Sequence, residues 1–381
     1  MRIGLNSQKM LALNTGVGNY TYNLVKHLLE VDDENFYCFF FFNQLLNAEE
    51  ILNGKSNRIS IHNGAFRHRM NPVRILWEQF VLPGHARRSN VDVFHYIDHN
   101  LSLVSRPCPT VITVHDLAFL RLPEMYNFTR RTYKRMVGLQ SVKHASAIIA
   151  ISEYTKSEIL ELTGVEESKI EVIPYGVDSI FRVIDEAEEL AAFRRKRGLP
   201  ERFILFVGTL QPRKNIDGLL HAYRLLRRES DLDHHLVICG DRGWLFKKIF
   251  ALVGELGLSD SVAFLDYVPH FELPLLYNNA DLFVYPSWFE GFGLPPLEAM
   301  ACGTPVVSSN VTSLPEVVSD AGITVDPGDI EALAGAMKRA LTEQELRQTM
   351  RRCGLERASG FSWEKNARRT LEVYRRAGNG A

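Results

Sequence analysis

The chain has 381 residues, 46% of them hydrophobic and 23% charged, and a formal net charge of -1. Such a length supports two domains with a core in each, and the composition excludes a disordered chain. The near-neutral balance gives no electrostatic case for nucleic acid as a partner, and Cys38, Cys108, Cys239, Cys302 and Cys353 lack any CxxC spacing, so they read as reduced thiols of a cytoplasmic protein.

MRIGLNS opens on a strand-like run with no signal-peptide pattern. In chain order the strand candidates of the first half are RIGLN, FYCFFFF, RISIH, VDVFHYI, TVITVH, SAIIAIS and KIEVIP. FYCFFFF, from Phe36 to Phe42, is far shorter than the ~20 residues of a membrane span. Its aromatic content fits a strand buried on both faces. Helices are predicted over Gly18 to Glu30, Val73 to Arg88, Thr129 to His144 and Thr155 to Thr163. RFILFVG, HLVICG, VAFLD, LFVYPS, TPVVSS and AGITV are the strands of the second half, with helices between them and two more near the C-terminus. The alternation implies an α/β protein of two Rossmann-like domains, each built on a parallel sheet. The boundary is set after IPYGVD, giving domains of residues 1–178 and 179–362, with a C-terminal helix at about 363–378.

Ligands of such domains sit at the carboxyl ends of the strands, here in the cleft between the two domains, and that rule selects the candidate residues. WFEGFGLPPLEAMACGTPVV carries Glu290 and Glu298 on either side of Gly291-Phe292-Gly293-Leu294-Pro295-Pro296. The glycines and prolines forbid one continuous helix there, so strand, loop and helix are expected, with Glu290 in the loop and Glu298 in the opening helical turn. Free amides and partial positive charge at that helix start suit phosphates or sugar hydroxyls. Arg213 and Lys214 follow RFILFVG just before a helix starting near Asn215, as a cation pair suited to a diphosphate. His115 ends TVITVH at the functional edge of the first domain, while Asp116 is read as a turn or cap residue. Gly16 and Gly18 precede a helix and allow close backbone approach to a ligand, but Thr21 stands where a dinucleotide fingerprint needs its third glycine.

Three features have simpler readings. Asp231-Leu232-Asp233-His234-His235 resembles a metal cluster but lies at the amino edge, so a solvated loop is expected and no metal site is assigned. Ser152 reads as a helix N-cap. Arg121 to Lys143 is strongly basic, with Arg130, Arg131, Lys134 and Arg135. A solvated helix face is the default there, and contact of the helix Thr129–His144 with anionic lipid is the sharper reading.

With these residues in place, the sequence resembles glycosyltransferase family 4, the retaining nucleotide-sugar transferases of GT-B fold, over nearly its whole length. EGFGLPPLEAMACGTPVV matches the family's E-x7-E motif at Glu290 and Glu298, GTLQPRKN its Arg-Lys pair, His115 its cleft histidine, TGVG its N-terminal glycine loop and IPYGVD its interdomain segment. ILWEQFVLP and HDLAFLRLPEMY are similar to segments of bacterial mannosyl- and rhamnosyltransferases of O-antigen or exopolysaccharide assembly. The resemblance implies two Rossmann-like domains facing across a cleft that closes over a nucleotide-sugar donor. Glu298 would take the ribose hydroxyls, and Glu290 with Gly291, Phe292, Gly293 and Leu294 would surround the sugar and phosphates. Gly16 and Gly18 would approach the donor from the first domain. Arg213 and Lys214 would stabilise the leaving diphosphate, and His115 would contact sugar or acceptor. GDP-mannose is the implied donor, with UDP- and ADP-sugars open, and a lipid-linked or oligosaccharide acceptor is implied. No cofactor and no metal are expected. A nucleotide-sugar 2-epimerase and a non-catalytic nucleotide-sugar-binding protein are the rival readings, and a dehydrogenase is the weakest.

Overall fold

The computed structural model describes residues 1–11, 15–43, 56–66, 71–125, 128–243 and 246–379. Two compact units divide the chain: Met1–Gly176 with Ser362–Ala381, and Val177–Phe361.

The first unit is built on seven parallel strands in the order β3-β2-β1-β4-β5-β6-β7. They are β1 (Arg2–Asn6), β2 (Phe36–Asn43), β3 (Ile59–Phe66), β4 (Val93–Tyr96), β5 (Thr110–Val114), β6 (Ala147–Ala150) and β7 (Ile170–Val172). β2 is the aromatic run of the sequence, and Phe39, Phe40, Phe41 and Phe42 are all buried, as a strand covered on both faces requires. α1 (Gly16–Val31) is capped by Thr15, whose hydroxyl accepts from the Gly18 amide at 3.1 Å. The glycines expected in a loop before this helix therefore form its first turn.

Two further helices of this unit carry π turns. Asn71–Leu76, the π turn Trp77–Val81 and Leu82–Arg88 run on as α2. Phe128–Tyr133, the π turn Lys134–Gly138 and Leu139–His144 run on as α3. A period-3.6 pattern predicts a helix at both places but not the extra residue of a wider turn. α4 (Glu153–Thr163) starts at Ser152, whose Oγ accepts from the Thr155 amide at 3.0 Å. Asp116 accepts from the Ala118 amide at 3.1 Å, the turn role read from the sequence.

The second unit has six parallel strands in the order β10-β9-β8-β11-β12-β13. These are β8 (Phe203–Val207), β9 (His235–Cys239), β10 (Val262–Leu265), β11 (Leu282–Tyr285), β12 (Val306–Ser309) and β13 (Ile323–Val325). Each sheet reverses its winding once, between β1 and β4 in the first unit and between β8 and β11 in the second. Those are the switch points at which doubly wound sheets open a crevice. The charged stretch after Asp178 forms α5 (Ala187–Arg197), ended by Gly198 at φ 62°. α6 (Ile216–Glu229) and α7 (Leu294–Ala301) follow β8 and β11.

α8 (Trp363–Gly378) returns the chain to the first unit, where it packs on α1 and over β4, β5 and β6. Buried Tyr374 meets His95 Nδ1 at 2.7 Å, and Asn366 donates to the Pro174 carbonyl at 2.7 Å. Gly176 permits this return: a Cβ there would lie 2.1 Å from the Trp363 amide nitrogen.

Candidate active site

In the second unit the loops leaving β8 and β11 meet at the switch point. After β8 the chain makes one 3-10 turn, Pro212–Lys214, and passes into α6 through Asn215, which sits at φ 53° and accepts from the Gly218 amide at 3.3 Å. That turn places Arg213 and Lys214 beside the loop after β11. Lys214 Nζ lies 2.6 Å from Glu290 Oε1, and Arg213 Nη1 donates to Glu290 Oε2 at 3.1 Å and to the Phe289 carbonyl at 2.5 Å. Lys214 also donates to the Tyr285 hydroxyl, with its ammonium 4.9 Å from that ring's centroid. Lys214 and Glu290 are each only 7% exposed. Burial alone would push the Glu290 carboxyl up, but Arg213 and Lys214 outweigh it and hold the group below its ordinary range.

The Glu290 loop is held from β12. The Glu290 amide donates to Thr312 Oγ1 at 3.1 Å, and Ser313 Oγ donates to the Glu290 and Phe292 carbonyls at 2.9 and 2.8 Å. Thr312 does so from φ 58°, a conformation that disfavours a β-branched residue and marks a locally strained support. Gly293 precedes α7 at φ 122°, where a Cβ would lie 2.8 Å from Leu314 Cδ2, so only glycine fits the turn.

Glu298 is in the second turn of α7, not the opening turn expected from the sequence, because the helix starts at Leu294 with both prolines in its first turn. It is buried, and Tyr277 donates to its Oε2 at 2.9 Å. Burial raises the carboxyl above its usual value, with His270 and Tyr277 opposing the shift. Arg213, Lys214 and Glu290 thus form one cluster, and Glu298 follows in the second turn of α7 with Tyr277 as its partner. The cluster sets Arg213 and Lys214 beside the Glu290 carboxylate at a helix start, a chemistry that can take an anion and orient hydroxyls.

His115, Gly16 and Gly18 belong to the first unit, so the second unit's cluster does not include them. His115 is buried, with Nε2 2.6 Å from the Ile97 carbonyl and Nδ1 2.5 Å from the Tyr175 hydroxyl. Burial depresses its pKa to about 4, keeping the ring neutral near pH 7. His234, expected in a solvated loop, is buried against Asp281, whose carboxylate lies 3.7 Å from its Nε2.

Two family models match the chain, Glycosyltransferase Family 4 over residues 14–180 and Glycosyl transferases group 1 over residues 189–357. The O-antigen chain mannosyltransferase B of Escherichia coli is 35% identical over 368 residues, covering 95% of this chain and 96% of that protein. The chain belongs to glycosyltransferase family 4. The serotype-specific mannosyltransferase WbdA of Escherichia coli is 36% identical over 277 residues, 71% of this chain and 34% of its own length. Among solved structures, sucrose-phosphate synthase from Thermosynechococcus elongatus superposes with a TM-score of 0.81 at 23% identity, covering all of both chains. The fold is therefore that of the GT-B glycosyltransferases, and the chain is a glycosyltransferase.

For this family-4 enzyme the sequence pattern singled out the charged residues but missed their supports, Tyr285, Tyr277, Thr312 and Ser313. Tyr285 ends the apolar run LFVY and reads as core, although the carboxyl-edge rule that selected Arg213 applies to it equally. Thr312 and Ser313 follow β12 in a stretch that reads as an ordinary turn.

Proposed function

We propose that this enzyme transfers mannose from GDP-mannose, with retention of configuration and without a metal ion, to a lipid-linked or oligosaccharide acceptor in cell-surface polysaccharide synthesis. The observation that carries the reading is the buried convergence of Arg213 and Lys214 on Glu290 at the β8–β11 switch point. Two cations there balance the charge that grows on the diphosphate as the bond between the anomeric carbon and the β-phosphate oxygen breaks. Glu290 then passes from its cations to the hydroxyls of the sugar, and Glu298 accepts from the ribose hydroxyls. The acceptor hydroxyl oxygen forms the new bond to the anomeric carbon, and its proton passes to the departing β-phosphate oxygen, which leaves as part of GDP. No side chain of the cluster is assigned as a nucleophile. Charge balance by Arg213 and Lys214 removes the need for a divalent ion. The names of the two Escherichia coli relatives support mannose as the sugar and O-antigen as the product class.

A lipid-linked acceptor needs a surface that meets the membrane. No described helix is long and apolar enough to cross a bilayer. α3 instead presents Phe128 and Met136, 71% and 66% exposed, with Arg135 and Lys143 also exposed. Apolar and basic side chains of this kind suit contact with anionic lipid. The side chain of Arg130 lies outside the described residues.

A thermal-shift series with GDP, UDP, ADP and NAD at equal concentration tests the donor. A nucleotide at a hundred times its Kd adds about 2.7 kcal/mol of stability. A rise with GDP alone is the expected result. A rise with UDP alone would overturn GDP-mannose as donor.

A further inference from the structure

Glu298, the carboxylate read above as the ribose acceptor, has neighbours besides the cations of the Glu290 loop. IPYGVD, the segment by which the chain enters the second unit, ends in Asp178. Asp178 Oδ1 accepts from the Ile180 amide at 3.2 Å, and its carbonyl accepts from the Phe181 amide at 3.0 Å. That tight turn sets the buried Phe181 ring against two others. The His270 imidazole meets it edge-on with centroids 5.2 Å apart, and the Tyr277 phenol lies 5.9 Å away. His270 opens the 3-10 turn His270–Glu272, which runs directly into the helix Leu273–Asn279 that carries Tyr277. Tyr277 in turn donates to Glu298 Oε2 at 2.9 Å.

The charges in this cluster are uneven. His270 Nε2 is buried without a hydrogen-bond partner, and the Asp178 carboxylate stands 3.7 Å from it, at ion-pair distance. Among the groups that act on Glu298, His270 brings positive charge, Tyr277 a neutral hydrogen bond and Asp178 a second negative charge. Glu272, on the same turn as His270, is taken by Lys196 and Arg197 of α5. Cys239 and Cys302, near Tyr277 and Glu298, are pushed up by burial and stay neutral thiols. One imidazole thus faces two carboxylates. Burial alone would lower that imidazole, but Asp178 and Glu298 outweigh it and hold it above its ordinary value.

Two ribose hydroxyls need acceptors, and an ionised carboxylate offers two oxygens that carry no proton. A carboxyl that gains a proton becomes part donor and holds a pair of hydroxyls less well. Whatever keeps Glu298 ionised therefore acts on the nucleotide through it.

We propose that His270 is a positioning residue of the nucleotide site: its imidazolium, anchored on Asp178, keeps Glu298 in the carboxylate form that accepts the ribose hydroxyls. The proposal rests on the nucleotide site proposed above and adds the residue that sets its pH range. As the pH falls, His270 gains its proton before Glu298 does, and the new charge holds Glu298 ionised. Without that charge Glu298 gains a proton at higher pH.

The test is a calorimetric titration of wild type and His270→Asn with GDP at about pH 6 and about pH 8, on either side of the imidazole's range. Comparing the two proteins at one pH cancels the protonation of GDP itself. His270→Asn should bind GDP at least ~threefold more weakly than wild type at the lower pH and within ~twofold of it at the higher, since a shift of about one unit in Glu298 is a tenfold change in its protonation. In a Glu298→Gln background, His270→Asn should leave GDP affinity unchanged at both, and an effect that persists there overturns the proposal. Weakening that is equal or larger at the higher pH makes His270 a packing residue and overturns it. So does a variant that matches the wild type at the lower pH. If His270→Asn does not fold, the titration of His270 is followed by NMR in wild type and Glu298→Gln. The midpoint should fall in Glu298→Gln, and an unchanged midpoint overturns the proposal. Failure of the wild type to bind GDP instead removes the nucleotide site on which the proposal rests.

Discussion

Replacing Glu290 with glutamine keeps the shape of the cluster but removes a carboxylate that both cations contact. Lys214 Nζ at 2.6 Å and Arg213 Nη1 at 3.1 Å then face each other across a site in which Lys214 is 7% exposed. Breaking a buried pair by removing one partner costs about 3–5 kcal/mol, because the remaining charge stays desolvated. The Tyr285 hydroxyl and the Phe289 carbonyl still accept from the two cations, which places the loss near the lower figure, about 3 kcal/mol. At ~2–4 °C per kcal/mol for a unit of this size, the melting temperature should fall by roughly 6–12 °C. Differential scanning calorimetry resolves it, the second unit's transition being the one that moves when GDP is added. With its internal anion gone, the pair should welcome the diphosphate: GDP should raise the variant's melting temperature by more than it raises the wild type's. Turnover should fall, since the sugar hydroxyls exchange a charged acceptor for a weaker neutral amide oxygen. An unchanged transition, or a smaller GDP shift in the variant, refutes the view that Glu290 is the resident counter-ion of a diphosphate site.

Stability in acid should be limited by two neutral buried histidines of the first unit. Burial, with His115 adding to it, depresses His95 to about 3, and burial depresses His115 to about 4. The unfolded chain protonates both near 6.5, so it takes up protons first and stability falls as the pH drops from about 6.5 towards 4. At pH 5 the loss is about 2 kcal/mol for each residue relative to pH 7, read as the denaturation midpoint in urea. His115→Gln should remove about half of that dependence, and an unaltered slope would contradict it. Turnover should survive exhaustive chelation, measured as GDP release from GDP-mannose with acceptor present. Complete loss that a divalent ion restores would transfer the charge-balancing role from Arg213 and Lys214 to a metal.

How far the sequence could be read depended on whether the signal was local. The thirteen strands among the described residues occur where apolar runs stand between turn residues, because a buried parallel strand needs little beyond its own side chains to declare itself. The caps at Ser152 and Asp116 were legible for the same reason: each bonds an amide two or three residues on. Glu290, Glu298, Arg213 and Lys214 stood out because charges beside glycine and proline at a strand's end have few structural uses. What escaped was non-local. Asp178, His270 and Glu298 come together from three separate segments, and nothing in any one of them shows that one imidazole serves two carboxylates. The π turn Trp77–Val81 is hidden as well, since one extra residue in a helical turn barely disturbs an amphipathic pattern.

The most direct test of the central claim is a calorimetric titration of wild type, Arg213→Ala and Glu298→Ala with GDP. Saturable binding by the wild type, weakened at least ~tenfold in each variant, is the predicted result. GDP affinity unchanged in both variants would contradict the claim that these residues form the nucleotide site of the enzyme.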